Sequence, residues 1–260
     1  MKIVVCIKQV PDTTEVRIDP VTNTLIRDGV PSIINPDDMN GIEAALELKE
    51  ANPGSEITLV CMGPPQADVA LREALAMGCD KAILITDRAF GGSDTWATSN
   101  IIASAIAELE YDIIFCGRQA IDGDTAQVGP QIAECLDIPQ VSYVAGIKQD
   151  GNKLTVQRNM EHGHQVVEVE MPCLLTCIKE LNEPRPAHLG GIFDAYQKEI
   201  EFWGNDKLNI DASLIGLKSS PTKVNRTFTP AAKEPGIMVP KADAEEIQKV
   251  YNDLKSKHYI

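Results

Sequence analysis

With 260 residues and 38 acidic against 24 basic side chains, a net charge of −14, the chain can bury a full α/β core and is too acidic for nucleic acid or an anionic membrane to be its main ligand. Hydrophobic residues make up 43%, yet no apolar run approaches the roughly 20 residues of a membrane span and no signal-peptide pattern opens the sequence, so a cytoplasmic location is expected. Seven cysteines, at 6, 61, 79, 116, 135, 173 and 177, are an odd number set largely within apolar runs, the pattern of reduced core thiols rather than of disulfides or a metal site.

KIVVCIKQV at residues 2–10 reads as a buried strand, ended by Pro11-Asp12. Residues 15–34 alternate in polarity around turn signals, as in a surface hairpin. A helix over 39–51 follows, with Asp37 or Asp38 as its cap and Ile42, Ala45 and Leu46 on its buried face. EITLVCM at 56–62 is a second strand, and Gly63-Pro64-Pro65 opens a helix over 66–77. A third strand spans 81–86. SDTWATS at 93–99 then heads a long helix whose hydroxyls, beside free amides, either hold phosphate oxygens or meet solvent.

The stretch YDIIFCGRQAIDGDTAQVGPQIAECLDIPQ, residues 111–140, carries the chemistry. Ile113 to Cys116 form an unbroken apolar run, a parallel strand covered on both faces, and Ile132, Ala133 and Leu136 mark a helix. Between them Asp122, Gly123, Asp124 and Thr125 are small, turn-forming residues at a helix start. They suit an anionic group, or else an ordinary strand-to-helix turn with Asp124 as N-cap.

This alternation predicts an α/β fold with a doubly wound, mostly parallel, Rossmann-like sheet, its ligand lying at the strand carboxyl ends near Cys6 to Lys8, Met62 and Gly117. Neither GxGxxG nor GxxxxGK[ST] is present. From about 140 to 180 the pattern becomes an antiparallel β appendage, with His162 and His164 as exposed turn residues. An amphipathic segment spans 189–196. A polar region, about 205–240, has too few large apolar residues for its own core, and a helix over 241–255 carries Ile247, Val250 and Leu254. The expected division is a nucleotide-binding domain over 1–200 and an extended C-terminal arm over 201–260.

The blocks VVCIKQVPDT, INPDD, SDTWATS, GRQAIDGDTAQVGPQIAE and TCIKELNEPR closely resemble, in order and spacing, the beta subunit of electron transfer flavoproteins. The resemblance implies a heterodimer with an alpha subunit, which the arm embraces. It implies an adenine-nucleotide site built from Cys6, Asn35, Pro36, Asp37, Asp38 and Met62, and from Gly117, Arg118, Gln119, Ala120, Ile121, Asp122, Gly123, Asp124, Thr125, Ala126, Gln127 and Val128. In the simpler members that site holds AMP; in electron-bifurcating members, marked by VPDT and SDTxATS, it holds a whole FAD.

Both marks are here, so the resemblance implies an FAD that takes a hydride from NADH and splits the electrons, with Thr95 and Thr98 at its phosphates and Asp94 also in its site. No catalytic side chain and no metal are expected in this chain alone. The implied acceptors are ferredoxin or flavodoxin and, through the alpha-subunit FAD, an acyl-CoA dehydrogenase-like flavoenzyme. That flavoenzyme would meet residues 187–201, with Leu189 as anchor beside Ile192 and Phe193. Here the segment departs from family members that are strongly basic after the anchor: only Lys198 stands among Asp194, Glu199 and Glu201. The alternatives are an AMP-holding subunit that passes single electrons and a non-redox adenine-nucleotide regulatory domain.

Overall fold

The computed structural model of the chain describes residues 1–12, 31–225, 236, 238–239 and 241–260. Its first unit, Met1–Asn225, is built on one twisted sheet. β1 (Lys2–Ile7) lies at the middle, with its side chains alternating into two cores: Ile3, Val5 and Ile7 to one face, Val4 and Cys6 to the other. The tip of the expected hairpin over 15–34 lies outside the described residues. Its base is formed by β2 (Gln9–Pro11) pairing antiparallel with β3 (Ser32–Ile34).

Helix α1 (Pro36–Ala51) starts three residues earlier than expected, because Pro36 has the fixed φ of a first helical position. Asn35, not Asp37 or Asp38, occupies the N-cap position, and no side chain caps the helix. β4 (Glu56–Met62), α2 (Asp68–Met77) and β5 (Lys81–Ile85) follow, then α3 (Thr95–Ile106), β6 (Ile113–Gly117) and α4 (Val128–Cys135). β1 pairs in parallel with β4 on one side and β6 on the other, so the strand order reverses at β1. Helices α1 and α2 pack Ile42, Ala45, Leu71 and Leu75 on one face, while α3 and α4 pack Ile101, Ile106 and Ile132 on the other. Each fully buried Ile or Leu side chain among these contributes about 1.5–3 kcal/mol of transfer free energy.

β7 (Gln140–Asp150), β8 (Lys153–Met160) and β9 (Gly163–Glu170) form the antiparallel part. It is continuous with the main sheet, because β10 (Cys173–Cys177) runs parallel to both β6 and β7 and sits between them. His162 falls in the β8–β9 turn, and His164 pairs with Asn159 on exposed β9. All seven cysteines are free thiols, and six are buried.

The α/β unit does not end near 200. β11 (Ile200–Trp203) adds a parallel edge strand to β5, and Trp203, Ile210 and Ile215 are buried in the core on the α3 and α4 face. A few well-spaced apolar residues were enough to dock 200–220 on an existing core, although they could not have formed one of their own. In the second unit, Arg226–Ile260, a helix over Ala244–Ser256 begins where Asp243 accepts the Glu246 N–H at 3.0 Å, and its Ile247, Val250 and Tyr251 are exposed. No helix among the described residues is long and apolar enough to cross a membrane.

Candidate nucleotide site

A cleft of about 1010 Å³ opens at the carboxyl ends of β1, β4, β5 and β6, beside the point where the strand order reverses. That is where open α/β sheets place ligands. The starts of α3 and α4 wall it together: Thr95 Oγ1 donates to Gln127 Oε1 at 3.1 Å, and Ser99, whose hydroxyl donates to the Thr95 carbonyl at 2.7 Å, stands 3.1 Å from Gln131 Oε1 and 3.3 Å from the Val128 carbonyl oxygen. Two helix starts side by side gather free backbone N–H groups and positive potential.

Asp38 lies under the cleft, buried in the first turn of α1. Its carboxylate accepts the Lys8 N–H at 2.7 Å, the Gly117 N–H at 3.0 Å and the Asn35 Nδ2 at 3.0 Å. It thereby ties the ends of β1 and β6 to α1, which is more than the capping expected of it. Burial pushes this carboxyl up to about 7, against the pull of its three N–H donors. Asn35 acts behind the cleft rather than in it. Its amide donates to the Gln119 carbonyl at 2.8 Å and its oxygen accepts the Ile121 N–H at 3.0 Å, holding the loop after β6.

Of the expected positions, Cys6, Asp38, Met62, Asp94, Thr95, Thr98, Gly117 to Ala120 and Gly123 to Val128 line the cleft. Asn35, Pro36, Asp37, Ile121 and Asp122 do not. Asp37 Oδ2 faces Arg118 Nε at 3.3 Å, an ion pair without hydrogen-bond geometry, and burial raises the Asp37 carboxyl while the guanidinium only partly offsets that rise. Asp122 receives Lys8 Nζ at 2.6 and 2.9 Å, neutralising a cation on the cleft wall.

The loop departs from the capping reading of its spacing. Asp124 is not the N-cap of α4, which has Gln127 at that position. Asp124 and Ala126 instead take left-handed φ of 56° and 52°, and the Gln119 side-chain amide donates to Asp124. The α3 start is occupied in part by its own N-cap: Asp94 accepts the Ala97 N–H at 3.0 Å, and its other oxygen accepts the Thr222 N–H and hydroxyl at 2.9 and 2.8 Å.

Lys8 and Ser93, at the expected strand end and helix head, also line the cleft, as do Arg88 and Phe90, which lie outside the expected positions. The rule that ligands gather at strand carboxyl ends, applied to β5 as well as to β1, β4 and β6, points to the Arg88–Phe90 turn.

A doubly wound sheet with such a cleft at its switch point, walled by two helix starts, has the architecture of the nucleotide-binding class of α/β proteins. Residues 22–208 match the electron transfer flavoprotein domain. The chain is 57% identical over 260 residues to electron transfer flavoprotein subunit beta of Clostridium acetobutylicum, and 53% identical over 262 residues to subunit CarD of the caffeyl-CoA reductase-Etf complex of Acetobacterium woodii. It is 49% identical over 269 residues to the acryloyl-CoA reductase electron transfer subunit gamma of Anaerotignum propionicum, and each of these three matches covers 100% of both chains. The chain belongs to the electron transfer flavoprotein family, as a beta subunit. Its role is therefore in electron transfer, and the non-redox regulatory reading falls away.

Proposed function

We propose that this beta subunit is of the electron-bifurcating type and that its cleft holds FAD. The observation that carries the reading is the reach of the cleft. Its volume of about 1010 Å³ is at the top of the roughly 300–1,000 Å³ spanned by small-molecule sites, and it runs past the 117–129 loop to Ile85, Phe90 and the α3 start. AMP would fill only the part beside that loop.

When bound, FAD would supply hydride acceptance and release of single electrons, chemistry that no side chain of the chain provides. The backbone of 117–128 would hold the adenosine and phosphate side. Thr95 and Thr98 would donate hydroxyls to phosphate oxygens at the paired helix starts, and Met62, Ile85, Phe90 and Ile102 would keep water from the ring side. NADH would be the donor. Ferredoxin or flavodoxin would be one acceptor and an acyl-CoA dehydrogenase-like flavoenzyme, meeting Leu189, Ile192 and Phe193, the other. The names of the relatives in caffeyl-CoA and acryloyl-CoA reductase systems support the second. The alpha subunit would complete the site and take the C-terminal arm, whose exposed Ile247, Val250 and Tyr251 suit a partner, and the complex would work in the cytoplasm.

The AMP-holding alternative draws on Asp94, whose carboxylate already takes one amide of the α3 start and places negative charge there. Acid release and chromatography of nucleotides from the co-purified heterodimer separates the two. Two FAD and no AMP support bifurcation; one FAD and one AMP make the chain a single-path carrier.

A further inference from the structure

Helix α5 (Leu189–Ala195) is built inside out. Its small residues face the protein: Gly191 and Ala195 are buried, and a Cβ at 191 would stand 2.2 Å from the Ala76 carbonyl oxygen of α2. Its large apolar residues face away. Leu189 is 84% exposed, Phe193 68% and Tyr196 72%, with Ile192 completing the i, i+3, i+4, i+7 stripe. Folding gains little from that stripe, and an apolar cluster of this size on one helix face marks an interaction surface.

Acidic side chains outnumber basic ones around it, and Arg72, the cation nearest the stripe, stands 5.8 Å from the centre of the Tyr196 ring. Residues 68–77 and 188–199 carry Asp68, Glu73, Asp194 and Glu199, none of which has a cationic partner among the described residues. The two permanent cations of these segments are used internally. Arg72 donates to the carbonyls of Ala195 and Lys198, and Lys198 Nζ to the carbonyl of Cys79. His188 accepts the Gly191 N–H on Nδ1 at 3.0 Å and so caps α5.

Resting on the docking role given above to Leu189, Ile192 and Phe193, we infer that α5 enters an apolar socket ringed by lysines and arginines. Asp194 and Glu199 then select that partner. The apolar stripe supplies the affinity, and the carboxylates supply the attraction at a distance and the rejection of acid-rimmed sockets.

The test measures binding of the heterodimer to the purified reductase of the Acetobacterium woodii caffeyl-CoA reductase system, by calorimetry at about 50 and about 300 mM salt. Leu189→Ala is expected to weaken binding roughly tenfold or more at both salts, as loss of a buried anchor does. Asp194→Lys with Glu199→Lys is expected to weaken it by roughly tenfold at low salt and to flatten the salt dependence. Undiminished or tighter binding by the double lysine variant, with Leu189→Ala still impaired, overturns the basic socket and leaves the docking surface standing. No binding by the unmodified heterodimer, or full binding by Leu189→Ala, removes the docking surface and the inference with it.

Discussion

Asp38 and Gly117 approach each other more closely than any side chain at 117 allows. A Cβ there would stand 2.2 Å from Asp38 Oδ1, the same oxygen that accepts the Gly117 N–H at 3.0 Å. Gly117→Ala must therefore push β6 away from α1 at the floor of the cleft. Overpacking of this kind costs about 1–3 kcal/mol. Urea unfolding is expected to show that loss together with lower nucleotide content in the purified heterodimer; unchanged nucleotide content would show that the Asp38 contact does not shape the site.

Asp38 also sets a pH dependence. Its carboxyl is raised from 3.8 to about 7, so between those values the folded state binds a proton that the unfolded state releases. The contribution is fully present below the unfolded value and is lost as pH rises through about 7, at up to about 1.4 kcal/mol per pH unit. Asp38→Asn removes this titration and turns an NH₂ toward N–H donors, costing roughly 1–3 kcal/mol. The stability gap between the native chain and Asp38→Asn is expected to narrow from pH 5 to pH 8. A gap that stays constant or widens contradicts the raised value.

Thr95→Val with Thr98→Val removes two hydroxyls from the α3 start and leaves the core untouched. Flavin content of the subunit is expected to fall clearly, while unfolding stability stays within about 0.5 kcal/mol, as for substitutions away from the core. Absorbance of the released flavin measures the first and denaturant titration the second. Full occupancy in the double variant would end the phosphate role of these threonines.

Arg185 holds the segment that leads to α5. Its backbone N–H donates to Glu43 Oε2 at 3.0 Å, its Nη2 to Glu43 Oε1 at 2.8 Å, and its Nη1 to Glu50. Glu43 is buried, so Arg185→Ala strands a carboxylate; with Arg185 about one-third exposed, the cost is placed at roughly 2–3 kcal/mol, below that of a fully buried pair. Hydrogen exchange should rise across 182–195. A loss of global stability with unchanged exchange there would mean that the clamp does not position α5.

The sheet was legible because Ile3 to Ile7, Leu59 to Cys61 and Ile113 to Cys116 are apolar runs too short for helices and covered on both faces. The insertion of β10 between β6 and β7 was not, since Cys173 to Cys177 follow an antiparallel hairpin and nothing local states which neighbour the strand will choose. At the site, the spacing of residues 117–128 marked the loop. The work of Asp38 was hidden, because an acid in the first turn of a helix looks like a cap until its burial and its partners from β1 and β6 are known. Lys8 and Asp122, 114 positions apart, carried no local sign of pairing.

The outward stripe on α5 has a consequence for how such a protein changes over time. Leu189, Ile192, Phe193 and Tyr196 contribute little to the packed interior, so replacing them carries almost no folding penalty. Gly117 and Asp38 have no such freedom, since each is boxed in by the other. On the docking and cofactor roles proposed above, partner choice would be written on a part of the chain that can drift, and cofactor retention on a part that cannot. A lineage can acquire a new redox client by rewriting a few surface positions while its nucleotide cleft stays as it was.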